Sequence, residues 1–291
     1  MTTVSFAPLA ERIETLASTP PDVALPDDAE SVVAHLLAAL ERGEVRSATR
    51  ESDGAWRAVP WVKRGILLGF RAGRVVPMPD ANGAAGTAWP TAFFDKHTIP
   101  PRALALGDGV RVVPGGTSIR RGSYVAPGVV CMPPVFINVG AYVGAGTMVD
   151  SHALVGSCAQ IGERVHLSAA AQIGGVLEPV GALPVIVEDD VLVGGNCGVY
   201  EGTVVKRRAV LAAGTVITGS TPIYDIPNNR VIEPAAGGPL VVPEGAVVVP
   251  GSRPIAGGPG RDWGLALATP VIVKYRDERT SARTALEQWI R

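Results

Sequence analysis

Two carboxylates with the potential for acid–base chemistry stand beside aliphatic residues in the second half of this 291-residue chain. Asp150 ends the run GTMVD, and Glu201 lies in GVYEG. A carboxylate that is partly removed from water can accept a proton from an amine, which is the work of a general base. An exposed turn residue is the simpler interpretation of each. These two residues are therefore candidates whose roles depend on what surrounds them.

Basic residues offer a second kind of chemistry, the binding of anions. Arg111 begins the run RVVP, and its guanidinium can bind a carboxylate through two parallel hydrogen bonds. Lys206, Arg207 and Arg208 form a short cluster at a turn, and Lys274 lies in a later apolar run. Fixed positive charge at Lys206, Arg207 and Lys274 suits phosphate groups, although a solvated corner explains the cluster equally well. The spacing contains no P-loop.

The histidines and cysteines do not form a metal-ligand pattern. The four histidines lack close ligand spacing, so no metal site is predicted. His152 and His166 stand at outward positions of the six-residue repeat described next. Each could be a catalytic base or simply a surface histidine. The three cysteines form no CxxC pair, which fits a reducing compartment.

A six-residue repeat positions these candidates. From Val113 onward an aliphatic residue recurs at every sixth position, and seventeen of eighteen slots hold Val, Ile or Leu. Six is not a helical period, and the repeat predicts a parallel β-helix in which three hexapeptides form one triangular coil. The aliphatic residue points inward, and glycine permits the turns between strands. The slots are Val113, Ile119, Val125, Cys131, Ile137, Val143, Val149, Val155, Ile161, Leu167, Ile173, Val187, Val193, Val199, Val205, Leu211, Ile217 and Ile223.

The chain is predicted to divide into a small N-terminal α/β domain with a linker (1–107), the β-helix (108–256) and a C-terminal strand-helix cap (257–291). The first domain is expected to contain three helices and two strands. The cap is expected to contain a strand and a helix. The run GGVLEPVGALP interrupts the repeat after Ile173 and predicts a loop that leaves the prism. The predicted helices are Ala10–Ala17, one that starts at Asp27-Asp28 and ends at Gly43, Val62–Phe70 and Thr280–Arg291; the predicted strands outside the repeat are Val45–Arg50, Trp56–Val59 and Pro270–Lys274; and residues 73–95 are predicted to be a linker.

Composition narrows the class of protein. The formal net charge of -1 gives no reason to expect nucleic acid or an anionic membrane as a partner. The N-terminus is too polar for a signal peptide, and no apolar run is long enough to span a bilayer. These features predict a cytoplasmic protein with a sizeable core, since 47% of its residues are hydrophobic.

Six runs of the chain carry a resemblance to a known family. They are Gly140–Pro179, Trp61–Arg71, Arg111–Pro114, Pro184–Gly194, Ser220–Asp225 and Pro270–Tyr275. Together they resemble the tetrahydrodipicolinate N-succinyltransferase family. The resemblance implies a left-handed β-helix and a homotrimer with three active sites between neighbouring prisms. It also implies transfer of succinyl from succinyl-CoA to the amino group of the opened, hydrated substrate, a step of lysine and diaminopimelate biosynthesis, with no metal required.

The same resemblance assigns roles to residues. It makes Asp150 the catalytic carboxylate that binds the substrate amine, and Arg111 a substrate-binding residue. Family members often carry a second acidic residue where this chain has Gly198, and Glu201 is the nearby candidate for that catalytic role. Two alternatives stay open: an acetyl-CoA-dependent transferase acting on the same substrate, and a non-catalytic hexapeptide scaffold.

Overall fold

The computed structural model describes residues 5–78, 93–234 and 237–276. Its N-terminal part contains helices α1 (Ala7–Ala17), α2 (Ala29–Glu41) and α3 (Pro60–Ala72), and a hairpin of strands Ala48–Arg50 and Trp56–Ala58. These elements confirm the three helices and the hairpin predicted there.

Local chemistry explains where the helices begin and end. Proline at the start of α3 has no N–H to leave unsatisfied. After α2, Gly43 adopts a φ of +70°, and its N–H donates to the carbonyl oxygen of Leu40 at 2.9 Å. The N–H of Glu44 donates to Ala39 at 3.1 Å, which completes a glycine-capped helix end as predicted.

The three helices share a core with one corner of the prism. Ile13, Leu36 and Ile66 are fully buried in it, and Val139 and Cys158 of the prism belong to the same cluster. The N-terminal part is therefore packed against the repeat.

Residues 111–248 form the triangular prism that the repeat predicts, with parallel two-residue strands on three faces. The strands of the first face are Arg111–Val112, Val130–Cys131, Met148–Val149, His166–Leu167, Leu192–Val193 and Val210–Leu211. The strands of the second face are Ser118–Ile119, Phe136–Ile137, Leu154–Val155, Gln172–Ile173, Gly198–Val199 and Val216–Ile217. The strands of the third face are Tyr124–Val125, Tyr142–Val143, Gln160–Ile161, Ile186–Val187, Val204–Val205 and Val241–Val242.

The aliphatic slots point inward as predicted. Val143, Val149 and Val155 are fully buried, one on each face of a coil, and all three belong to the continuous core of the prism. Each pairs in register with a slot of the next coil, as Val149 does with Leu167. The mainly β fold class with a parallel β-helix is confirmed.

The turns use left-handed backbone at one position in most hexapeptides, and glycine is not always there. Gly146 has a φ of +67°, but His152 (+64°), Arg164 (+53°) and Ala170 (+58°) hold the same place in other turns. A side chain at positive φ costs roughly 1–2 kcal/mol per residue. The stacked coils therefore impose this backbone even where the residue disfavours it.

Three details differ from the predictions. Val112, not Val113, pairs with Cys131 in the inward register, because the glycine-containing turn after this strand is one residue longer. Val241–Val242, which is not among the predicted slots, adds a coil to the third face. Within the predicted linker 73–95, strand Val75–Met78 pairs with Phe93–Lys96.

Longer strands follow the last coil. Ala246–Pro254 and Ala266–Tyr275 form an antiparallel ribbon joined through helix α4 (Gly258–Asp262), and the ribbon continues the first face. Strands Ile223–Asp225 and Arg230–Ile232 extend the same sheet, while a short 3₁₀ helix, Leu106–Asp108, precedes the prism. The predicted strand Pro270–Lys274 is confirmed. The predicted helix Thr280–Arg291 lies outside the described residues, and none of the described helices is long and apolar enough to cross a membrane.

Candidate functional site

A cleft of about 1080 Å³ lies beside the third face. Four segments distant in sequence form its walls. They are the hairpin residues 55–58, the excursion loop (residues 174–185), residues 200–206 from the Tyr200 corner to Lys206, and residues 237–241. The loop is the one that GGVLEPVGALP predicted, and it exists because the coil cannot close through these extra residues.

Tyr200 fills the position where the chain lacks a second acidic side chain. A Cβ atom added to Gly198 would lie 2.5 Å from the Tyr200 ring, and one added to Gly174 would lie 2.8 Å from it. The ring therefore packs over two glycines at the corner between the second and third faces, and it lines the cleft. Tyr200 is not among the residues predicted from the sequence, although its place directly after the inward Val199 marks it as a corner residue.

Glu201 lies in the cleft wall, at a φ of +53°. Its Oε2 accepts a hydrogen bond of 3.0 Å from the N–H of Gly219 in the next coil. The carboxylate thus has a structural contact and also faces the cleft. Its predicted catalytic role stays a prediction.

Lys206 also lines the cleft, and it is held by an acid that the sequence analysis did not select. Its Nζ donates to Oε1 of Glu188 at 3.0 Å. Glu188 also accepts from Trp56 Nε1 at 3.0 Å and from the N–H of Arg207 at 3.1 Å. Glu188 and Lys206 are eighteen residues apart and follow inward slots in neighbouring coils, so the repeat itself places them together.

Glu188 is only 7% exposed. Burial alone would raise its pKa. The hydrogen bonds from Trp56 and Lys206 and from the amide of Arg207 outweigh burial, so the pKa of Glu188 lies below its ordinary value of 4.5. The negative charge orients Lys206 and joins the hairpin to the prism.

Asp150 lies at a different corner, between the first and second faces. Its Oδ1 accepts from the N–H of Ser151 at 2.7 Å, and its Oδ2 lies 3.9 Å from His166 Nε2. The side chain is about one-third exposed (32%). A carboxylate beside a histidine at an accessible corner can bind a cationic amine and accept its proton.

Arg111 stands at the outward position of the same face. The register aligns it with Val130, Met148 and His166 in successive coils. At the usual strand spacing, Arg111 is about 10 Å from Met148, two residues before Asp150. The structure therefore places Arg111 and His166 on the first face, and Asp150 at the corner where this face ends.

The predicted residues thus form two groups. Glu201 and Lys206 line the cleft, whereas Arg111 lies on the first face and Asp150 at its corner. The two other predicted cofactor-binding residues are outside the cleft lining. Arg207 lies 3.6 Å from Glu244, and Lys274 is exposed on the C-terminal ribbon. Lys206 is the predicted phosphate-binding residue that the structure brings to the cleft.

The fold and the cleft define a hexapeptide-repeat transferase. The sequence model of the family described as "Hexapeptide repeat of succinyl-transferase" matches residues 184–219, and that of "Tetrahydrodipicolinate N-succinyltransferase N-terminal" matches residues 9–72. The prism is thus the left-handed β-helix of hexapeptide transferases.

Relatives extend this relationship over nearly the whole chain. All three compared here are named 2,3,4,5-tetrahydropyridine-2,6-dicarboxylate N-succinyltransferase. The protein from Rhodopseudomonas palustris is 41% identical over 91% of this chain and 90% of its own length. Those from Polynucleobacter asymbioticus and Azoarcus are each 43% identical, over 96% and 97% of this chain and 95% and 96% of their own lengths. The chain belongs to the tetrahydropyridine-dicarboxylate N-succinyltransferase family.

Proposed function

We propose that this protein transfers the succinyl group of succinyl-CoA to the amino group of opened, hydrated tetrahydrodipicolinate, giving N-succinyl-2-amino-6-oxopimelate and CoA. The observation that carries the proposal is identity above 40% over more than nine-tenths of the chain to enzymes named for this acceptor and this acyl group. The reaction belongs to lysine and diaminopimelate biosynthesis, where a cytoplasmic location is expected.

The cleft is the proposed site of the acyl donor. It crosses the third face from the corner at Tyr200 to the corner at Lys206, and this length suits an extended thioester cofactor better than a compact metabolite. Lys206, oriented by Glu188, supplies positive charge for the phosphate groups. The predicted contacts of Arg207 and Lys274 then fall on parts of the donor that extend beyond the cleft.

Asp150 is the proposed general base. An ammonium ion has no lone pair with which to attack a thioester, so a proton must leave the amine first. Asp150 binds the amine and accepts the proton, and Arg111, on the adjoining first face, binds a substrate carboxylate through its guanidinium. The amine then attacks the thioester carbonyl directly, and the CoA thiolate leaves without forming an acyl-enzyme.

The two groups of residues need two protomers. Asp150 and the Tyr200 corner stand at opposite edges of the second face and two coils apart, since Val155 aligns through Ile173 with Val199. One hexapeptide across the face spans up to roughly 20 Å, and two coils add about 10 Å along the prism axis. The N-terminal part covers the third face, where Gln160 and Ile186 are 1% exposed. The second face leaves Phe136 and Val216 38% and 52% exposed. A homotrimer with the cleft of one prism beside the Asp150 edge of the next brings donor and acceptor together.

A thiol-release assay tests the proposal. Tetrahydrodipicolinate is offered with succinyl-CoA and, separately, with acetyl-CoA, and free CoA is measured. We expect release with succinyl-CoA that depends on the acceptor. Faster release with acetyl-CoA would make the protein an N-acetyltransferase of the same substrate. Absence of release with both donors would leave a non-catalytic hexapeptide scaffold.

A further inference from the structure

A buried lysine in the N-terminal part contacts the wall of the cleft. Lys63 lies on α3 and is fully buried. Its Nζ donates a hydrogen bond of 2.5 Å to the carbonyl oxygen of Ala182 in the excursion loop. The bond is partly buried and joins residues 119 positions apart, so it ties the loop to α3.

The loop has few other attachments. For residues 177–184, this bond is the one hydrogen bond that reaches another described part of the chain. The N–H of Ala182 itself bonds within the loop, to Pro179. Apolar contacts hold the two ends: Leu177 packs against the core of the helices, and Leu183 packs against the cluster of Ala48 and Val204. The N-terminal part thus holds the loop at its start, middle and end.

Movement of this loop would reshape the cleft. Gly181, Ala182 and Leu183 form part of its wall. The carbonyl oxygen of Leu183 lies so close to Gly202 that a Cβ there would approach it to 2.6 Å. Because Gly202 follows Glu201 in the corner turn, the loop packs directly against the corner that carries Glu201.

We propose that Lys63 is a positioning residue for the acyl-donor cleft, and that the N-terminal helices act on the reaction by holding the excursion loop in place. The part of the proposal that concerns the acyl donor rests on the proposed function. The part that concerns the loop does not. Burial lowers the pKa of the Lys63 ammonium, but Nζ carries N–H donors in either protonation state.

The test compares Lys63→Met with Lys96→Met. Methionine keeps most of the aliphatic volume and removes the donor. Lys96 makes the same kind of bond, from Nζ to the carbonyl oxygen of Gly73 at 2.8 Å, away from the cleft, and serves as the matched control. Hydrogen exchange of the amides in 177–184 is measured first, because it requires no activity. We expect exchange there at least about tenfold faster in Lys63→Met than in the wild type or Lys96→Met.

Kinetics then separate positioning from a general loss of stability. In Lys63→Met we expect KM for succinyl-CoA to rise about fivefold or more, with a smaller change in kcat, because donor binding is what the loop supports. Lys63→Arg keeps a charged donor, and its loop exchange should lie between those of the wild type and Lys63→Met. Three results would each overturn the proposal. The first is unchanged amide exchange of residues 177–184 in folded Lys63→Met, and the second is an equal increase of that exchange in Lys96→Met. The third is a wild-type KM for succinyl-CoA in Lys63→Met although its loop exchanges faster. If the wild-type protein is inactive with every acyl donor but Lys63→Met shows the expected faster amide exchange, the proposed function is refuted and the role of Lys63 in holding the loop is not.

Discussion

At the scale of single residues, the proposed chemistry depends on Asp150. Its position at the corner after Val149 follows directly from the repeat. The neighbouring His166 does not follow as simply, because it belongs to the coil above and its contact depends on how the coils stack. The carboxylate and the imidazole together form a polar pair on an otherwise largely apolar face.

Asp150→Asn should lower kcat/KM about 100-fold or more, because an amide cannot accept the proton of the substrate amine. The asparagine oxygen still accepts the bond from the Ser151 N–H, so the melting temperature should stay near that of the wild type. Steady-state kinetics and thermal unfolding measure the two quantities. Glu163→Gln, at an exposed turn of the same prism, is the control and should keep wild-type rates. Near-normal turnover in Asp150→Asn would remove this residue from the mechanism.

Glu188 leads to a prediction about pH. Glu188→Gln should lower the free energy of unfolding at neutral pH by about 1–3 kcal/mol, since buried donors lose an ionised acceptor. Because the folded-state pKa of Glu188 is lowered, its stabilisation is complete above about 4.5 and is lost as pH falls through the lower folded value. The difference between variant and wild type should therefore shrink in acid.

Urea unfolding at about pH 7 and about pH 3 measures this difference. Glu244→Gln removes an exposed partner of Arg207 and should change stability little at either pH. A gap between Glu188→Gln and the wild type that is equally large at both pH values would contradict the assignment of an ionised, hydrogen-bonded carboxylate.

At the scale of elements, the turn is the decisive unit. The strands are only two residues long, so each coil depends on left-handed residues to change direction. Gly214 has a φ of +77°, and no described atom lies within 4 Å of where its Cβ would stand. A side chain at Gly214 would therefore meet backbone strain but no steric clash with described atoms.

Gly214→Ala should therefore destabilise the protein by about 1 kcal/mol through backbone strain alone. Gly107→Ala is the matched comparison, because Gly107 also has open space among the described residues but no positive φ. That variant should be neutral or slightly stabilised, since alanine restricts the unfolded chain. Thermal or urea unfolding of the two variants checks the difference, and equal effects would show that the turn tolerates a side chain.

At the scale of the whole molecule, the separation of Asp150 from the cleft predicts shared sites. Asp150→Asn and Lys206→Met trimers should each have low activity. Random co-assembly of equal amounts should restore wild-type sites at about one-quarter of the interfaces, because a symmetric trimer repeats one contact between neighbours. Co-expression followed by the thiol-release assay measures the recovery. Activity equal to the mean of the two parents would place the site within one protomer, and a monomer by light scattering would exclude the arrangement.

The sequence by itself determined the prism, because a side chain that must point inward every sixth residue leaves one architecture open. The predictions from the repeat were wrong only locally. Val112 takes the inward register predicted for Val113, because the turn after it is one residue longer. The strand Val241–Val242 lies in an irregular run and does not follow the six-residue spacing. The pairing of Glu188 with Lys206 was also contained in the eighteen-residue spacing. The repeat could not give the cleft, because its walls come from the hairpin, the loop and the corner, which no period relates. Contacts such as Lys63 with Ala182, 119 residues apart, depend on how the helices pack on the prism, and only the tertiary structure decides that.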